Sequence, residues 1–172
     1  MIDGPRWTMK LVQQLEEWGG LTDICLTHCD DVGDASRYAE YFDARVWIHE
    51  ADSFAAPFAT DLLQGETEHR ISDEFVAIPA PGHSRGSVIY CYDRVHLFTG
   101  DTLAWDFAAD DLMVWREYCR DWRELTRSLS KLCNYPFEWV FAGHGGSQGR
   151  PEAEMHARLS ALVRRMETGT AA

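Results

Sequence analysis

The sequence predicts a layered α/β domain, and three observations predict it. The chain has 172 residues of which 45% are hydrophobic, which suits one domain with a real core and argues against disorder. Short apolar runs alternate with amphipathic stretches, the pattern of packed sheets and helices. Apolar runs repeatedly end in a glycine- or acid-rich loop carrying a histidine or an aspartate, where open α/β sheets hold their ligands. A single domain over residues 1–172 is expected, because no repeat, linker or low-complexity segment divides the chain.

The elements follow in order. Trp7, Leu11, Leu15 and Trp18 recur at helical spacing, and Gly19-Gly20 stops that helix. Residues 24–26 read as a short buried strand. Val32, Ala35, Tyr38, Ala39 and Phe42 mark one face of a second helix over 32–42, with Asp31 expected as its N-cap and Asp34 as the capping partner three residues on. Residues 46–48 form another strand. Residues 75–78, 88–91 and 95–98 read as a run of strands, with Tyr92-Asp93-Arg94 turning between the last two. Trp122, Leu125, Leu129 and Leu132 mark a third helix, 139–142 a last strand, and Met155, Leu159, Leu162, Val163 and Met166 a closing helix. Residues 53–73 and 103–120 show no clear period; Phe54, Phe58, Trp105, Phe107 and Trp115 there are candidates to cover a pocket.

Composition narrows the function. A formal net charge of −12 argues against nucleic acid as a partner, because phosphate attraction is missing. No apolar run approaches the ~20 residues that cross a bilayer, so no membrane partner is expected. The first residues lack the basic-then-apolar order of a signal peptide. The five cysteines are odd in number and none has CxxC spacing, which suits a reducing cytoplasmic setting and argues against a disulfide framework.

The loops after the strands carry the chemistry. Residues 24–26 run into Thr27-His28-Cys29-Asp30-Asp31, and 75–78 into Pro81-Gly82-His83-Ser84. Residues 95–98 run into Thr99-Gly100-Asp101-Thr102, and 139–142 into Gly143-His144-Gly145-Gly146. Neighbouring strands lie ~5 Å apart, so such loops can bring their side chains around one small cation. A lone histidine is more often a surface residue, and His49, His69, His96 and His156 are read that way, with His96 pointing to solvent from an alternating strand. The coincidence at four strand ends separates His28, His83, Asp101 and His144 from that background.

These motifs, in this order from residue 26 to 146, resemble those of the metallo-β-lactamase superfamily. The resemblance implies an αββα sandwich with one or two metal ions, usually zinc, at one edge of the sheets. It also implies hydrolysis by metal-bound hydroxide, as in the glyoxalase II, lactonase and β-lactamase branches. The family's first motif is usually T-H-x-H-x-D-H. Here Asp30 stands in place of the second histidine, and aligning Asp34 with the family aspartate leaves Ala35 where a histidine belongs, which resembles a divergent, hydrolase-like T-H-x-D-D-V-x-D subgroup. The implied ligands are His28, Asp30, Asp34, His83, Asp101 and His144, with Asp101 bridging. Each aspartate for histidine adds a harder donor, so iron or manganese suits the site as well as zinc. At most one ion is expected to bind tightly.

The expected function is hydrolysis of a small-molecule ester, thioester or lactone, with Asp34 or Asp31 orienting water and Ser84 and Arg85 available to an anionic substrate tail. One alternative is iron-dependent oxygen chemistry on thiol or persulfide substrates; another is a non-catalytic binding module. Ile2-Asp3 resembles the end of a strand that follows earlier hairpins in the family, so the N-terminal sheet is expected to be incomplete. Either a homodimer then covers the open surface, or the sequence is a piece of a longer protein.

Overall fold

The computed structural model describes residues 1–169. Helix α1 (Met9–Glu17) starts at Thr8, whose hydroxyl accepts the Leu11 N–H. Strands β1 (Asp23–Cys25), β2 (Arg45–His49) and β3 (Asp61–Leu63) form an all-parallel sheet in that order, with helix α2 (Ala35–Phe42) between the first two. A second sheet holds β4 (His69–Arg70), β5 (Phe75–Pro79), β6 (Val88–Tyr92), β7 (His96–Gly100), β10 (Trp139–Ala142) and β11 (Gln148–Gly149), ordered β11-β10-β7-β6-β5-β4. Strands β8 (Ala104–Asp106) and β9 (Asp111–Met113) pair as a hairpin, and helices α3 (Trp122–Leu132) and α4 (Glu152–Thr168) complete the chain. Among the described residues no helix is long and apolar enough to cross a membrane.

The alternation of side chains along each strand sorts the apolar residues into layers. On the first sheet Ile24, Leu26, Val46 and Ile48 face Val12, Leu15 and Tyr38 of α1 and α2. Their neighbours Cys25 and Trp47 face the other way, toward Ala77, Val88, Tyr90 and Phe98 of the second sheet. On that sheet Ile78, Ile89 and Leu97 point outward again, against Leu125, Leu129, Met155 and Leu159 of α3 and α4. The result is the expected αββα sandwich. The first sheet is the smaller one: three strands and an isolated bridge from Ile2 to Cys25 face six. A row of stacked rings runs along β7 and β10 on the Phe98 face, through Phe141, Trp139 and His96, and leaves Trp139 40% exposed.

The structure departs from the sequence reading in particular places. Helix α2 begins at Ala35, three residues later than expected, because Gly33 takes a left-handed turn (φ +48°). Its Cα packs against the Gly4 carbonyl so closely that a Cβ would lie 1.7 Å from that oxygen. Asp34 holds the N-cap position without a side-chain cap, and Asp31 is no cap at all. Residues 53–73 and 103–120 hold short β elements, and Trp105 is core rather than a pocket cover, at 1% exposure between the Arg150 and Arg158 guanidiniums. His96 does not point freely to solvent: its ring stacks near Phe141, and its Nδ1 is buried.

A volume deletion tests the layer assignment. Leu97→Ala, at a fully buried position between β7 and the outer helices, should cost about 2–5 kcal/mol of unfolding free energy in urea titration. Leu62→Ala, at a position 48% exposed, should cost less than about 1 kcal/mol.

Candidate metal centre

His28 follows β1, His83 follows β5, Asp101 follows β7 and His144 follows β10, so one end of the sandwich collects all four. The His28 Nε2 lies 3.7 Å from the Asp101 Oδ2, and the His83 Nε2 3.8 Å from the same oxygen. The two imidazoles meet edge to face with centroids 4.7 Å apart. Asp30, on the solvent side, places its Oδ2 3.9 Å from the His28 Nε2 and 3.6 Å from the His83 Nε2. Ligand bonds of ~2.0–2.1 Å give tetrahedral edges of about 3.4 Å, and these four nitrogen–oxygen contacts exceed such an edge by only a few tenths of an ångström.

The two imidazole nitrogens supply the test of fit. Both Nε2 atoms are buried and have no hydrogen-bond partner, a costly arrangement unless something else meets their lone pairs. The other nitrogen of His28 shows which way the ring is used. Its Nδ1 lies 2.9 Å from the Thr27 hydroxyl, which itself lies 3.0 Å from both Asp3 carboxyl oxygens. A hydroxyl that donates to Asp3 accepts from Nδ1–H, and this leaves Nε2 as a bare lone pair facing the centre. Burial lowers the His28 pKa, and His83 beside it lowers it further, so the neutral, ligating form is favoured. Two imidazoles and a carboxylate fit a divalent cation.

A second group shares Asp101. The Asp31, Asp101 and His144 ligand atoms lie within 4.8 Å of one another, as do those of His28, His83 and Asp101. The His144 Nδ1 is 2.9 Å from the Asp101 Oδ1 and 4.0 Å from the Asp31 Oδ2. Its hydrogen bond to Asp101 raises its pKa, and the charges of Asp101 and Asp31 add to that. Asp34, expected here as a ligand and as a catalytic carboxylate, is not brought in: its Oδ2 accepts the Trp7 N–H at 2.6 Å. The left-handed turn at Gly33 directs Asp34 to the helix start and leaves Asp31 facing the centre.

Two aspartates that the sequence did not single out hold the loops in place. Asp52 is 1% exposed, and its carboxylate accepts the Cys29 N–H, the Gly86 N–H and the Ser84 hydroxyl. It thus ties the loop of His28 to the loop of His83. It also occupies Ser84, which is therefore unavailable to a substrate. Asp3 accepts the Thr27 N–H at 2.7 Å. Close approach of β7 to this pair depends on Gly100 (φ +51°), where a Cβ would lie 2.4 Å from the Thr27 Oγ1. Asp3 is legible in the sequence only as part of a family-like strand end and Asp52 lies in no motif or periodic segment, so their bracing roles emerge only from chain packing. His49 and His69 hydrogen-bond the Gly65 and Gln64 carbonyls, and His156 lies beside Phe137, all outside the centre.

Two clefts that share Asp30 open on the centre. One of about 550 Å³ is lined by Asp30, Asp31, His144, Phe98, Phe141 and the Ile2-to-Pro5 segment. The other, of about 460 Å³, is lined by Asp30, His83, Cys29, Phe54, Arg85 and Arg120.

Comparison with known proteins agrees with this fold. A family model for the metallo-beta-lactamase superfamily matches residues 3–144. The B3 metallo-beta-lactamase BLEG-1 is 25% identical and superposes with a TM-score of 0.68 over 86% of this chain and 81% of its own. TTHA1623 in a di-iron-bound form is 24% identical, with a TM-score of 0.63 over 92% of this chain and 86% of its own. ETHE1 from Myxococcus xanthus is 20% identical, with a TM-score of 0.58 over 99% of this chain and 80% of its own. No sequence of curated function matches the chain significantly.

Two measurements test the supports. Asp52→Ala frees both ligand loops and should weaken zinc binding about 10–100-fold in calorimetry, the usual cost of losing an outer support of a metal site. An unchanged affinity would show the clamp to be dispensable. Burial pushes the Asp3 carboxyl up to about 7. A folded value above the unfolded one means that this group's stabilisation is complete below pH ~4 and is lost as pH rises through about 7. In metal-free protein, Asp3→Asn should therefore gain in Tm relative to wild type as pH rises across that window; a constant difference would refute it.

Proposed function

This chain belongs to the metallo-beta-lactamase superfamily, and on that premise we propose that it is a metal-dependent hydrolase of a small ester, thioester or lactone-type substrate. The observation that carries the proposal is the pair of buried, unpartnered Nε2 atoms of His28 and His83 aimed at the Asp101 carboxylate. A cation held there supplies Lewis acidity toward a carbonyl and a nucleophile from water at neutral pH. Zinc is the first choice, and the oxygen donors of Asp101 and Asp30 admit iron or manganese.

The chain's own residues divide the remaining work. His28, His83 and Asp101 hold the cation, and Asp30, 70% exposed, closes the ligand set from the solvent side. Asp31 stands 4.0 Å from both the His28 Nε2 and the His144 Nδ1. It is placed to accept the proton that attacking water releases. His144 keeps its proton to a higher pH than an ordinary histidine because Asp101 accepts the Nδ1–H hydrogen bond. It is therefore placed to return a proton to the departing oxygen or sulfur, so that the carbonyl carbon gains one oxygen and loses the leaving group. A second cation at Asp31, Asp101 and His144 would compete for this machinery. That group has one histidine, because Ala35 stands where the family motif has another, and a single tightly bound cation per chain is the favoured state.

One observation favours a second reading. Two histidines and one carboxylate make the donor set typical of non-haem iron sites with open positions, and the structurally similar TTHA1623 is described in a di-iron form. In that reading the centre performs iron-dependent oxygen chemistry on a thiol or persulfide.

Elemental analysis of protein purified without added metal separates the two. Zinc near one equivalent, with chelator-sensitive hydrolysis of a thioester or ester panel, supports the hydrolase. Iron with oxygen consumption on a thiol or persulfide supports the second reading and overturns the first. His83→Ala should abolish tight binding in either case. Asp34→Ala, which touches the Trp7 amide and not the centre, should change metal affinity by less than about threefold. Two fully occupied metal ions per chain would overturn the single-cation account.

A further inference from the structure

We infer that the centre takes substrates carrying a carboxylate at the end remote from the scissile bond, bound by Arg85 and Arg120 on the His83 side. The inference rests on the metal-centre reading above and names a substrate class for it.

Arg85 and Arg120 line the same cleft as His83 and Asp30, and both also line an adjoining cleft of about 370 Å³. They thus stand where the two clefts meet, beside a metal ligand. Each is held there by backbone. Arg85 lies between the buried Ser84 and Gly86, and both of these are bound to the Asp52 carboxylate. The Gly86 backbone sits so close to Asp52 that a Cβ would meet its Cγ at 2.7 Å. The Arg120 N–H donates to the His83 carbonyl at 3.2 Å. Both guanidiniums are therefore displayed from segments fixed to the ligand loop.

Neither guanidinium has all of its donors taken up by carboxylates. Among 28 acidic residues in a protein of net charge −12, no carboxylate pairs with Arg85 among the described residues. Arg120 binds the Glu124 Oε2 through its Nη1 at 2.8 Å, which fixes the side chain's direction and leaves other N–H groups of its fork unused. Asp52, also in the cleft wall, has its oxygens occupied by internal donors. The rest of the centre repels anions, since Asp30, Asp31 and Asp101 crowd it. Glu66 and Glu124 line the adjoining cleft and not the one that holds His83, so on the His83 side the Arg85 guanidinium and the remaining N–H groups of Arg120 break that symmetry. They favour a ligand with its anionic end toward the arginines and its neutral carbonyl toward His28 and His83. Guanidinium forks match a carboxylate in shape as well as charge. Phe54, 76% exposed at the cleft rim, offers an apolar surface to the segment between.

A matched pair of hydroxamates tests this without relying on turnover, because the hydroxamate group chelates zinc or iron alike. Succinic monohydroxamate carries the carboxylate, and butyrohydroxamate is its neutral counterpart. Titration calorimetry on the metal-loaded full chain should show the acid binding about 5–20-fold more tightly, with the preference shrinking as salt rises. The acid-to-neutral ratio should fall toward one in Arg85→Gln, fall less in Arg85→Lys, and reach about one in the Arg85→Gln, Arg120→Gln double variant. Equal affinities in the native protein would overturn the carboxylate inference and leave the metal centre standing. A preference that survives in the double variant would overturn its assignment to these arginines. Failure of both probes to bind the metal-loaded native chain would overturn the centre and the inference together.

Discussion

Two desolvated imidazole nitrogens and a cluster of carboxylates share one small volume at the end of the sandwich, and the surrounding structure is arranged around that constraint. The Nε2 atoms of His28 and His83 have no hydrogen-bond partner in the protein, and Asp30, Asp31 and Asp101 repel one another beside them. Such an arrangement is unfavourable in isolation and favourable around a cation. The supports exist to hold it open. Thr27 and Asp3 orient His28 from behind, Asp52 binds the backbones on either side, and Gly100 lets β7 approach closely enough to deliver Asp101.

The sandwich supplies rigidity in proportion to its layers. His28, His83 and Asp101 follow strands whose side chains alternate between two apolar clusters, so these strand ends cannot rotate without moving core residues. The ligand loops come from both sheets: His28 from the smaller, and His83, Asp101 and His144 from the larger. Direct backbone contact joins the sheets at this point, since the Val88 N–H donates to the Thr27 carbonyl and the Tyr90 hydroxyl to the Leu26 carbonyl. A change in how the two sheets pack would therefore be felt first at the metal centre.

The departures from the superfamily motif acquire a physical meaning in this setting. Asp30 stands where the family motif has a histidine, 3.9 Å and 3.6 Å from the His28 and His83 Nε2 atoms, and offers a charged oxygen donor in place of an imidazole. The turn at Gly33, packed against Gly4, sends Asp34 to the start of α2 and keeps Asp31 at the centre. A carboxylate is thus retained near His144 by a different residue from the one that motif alignment selects.

The sequence by itself determined the fold class, most of the element order and the four strand-end residues His28, His83, Asp101 and His144. These are properties of local pattern: strand alternation, helical spacing and glycines at sharp exits recur within a few residues of one another and are legible without the third dimension. The helix boundary at residue 32, the solvent-facing reading of His96 and the availability of Ser84 failed where a distant partner overrode the local signal: Gly4, Phe141 and Asp52 respectively. Only the tertiary structure decided that Asp31 and not Asp34 faces the centre, that Asp3 and Asp52 brace it, and that two arginines far apart in sequence share its cleft. Those outcomes depend on contacts between segments separated by tens of residues. A carboxylate's role is set by what the folded chain brings to its oxygens, and its own sequence neighbours do not encode that.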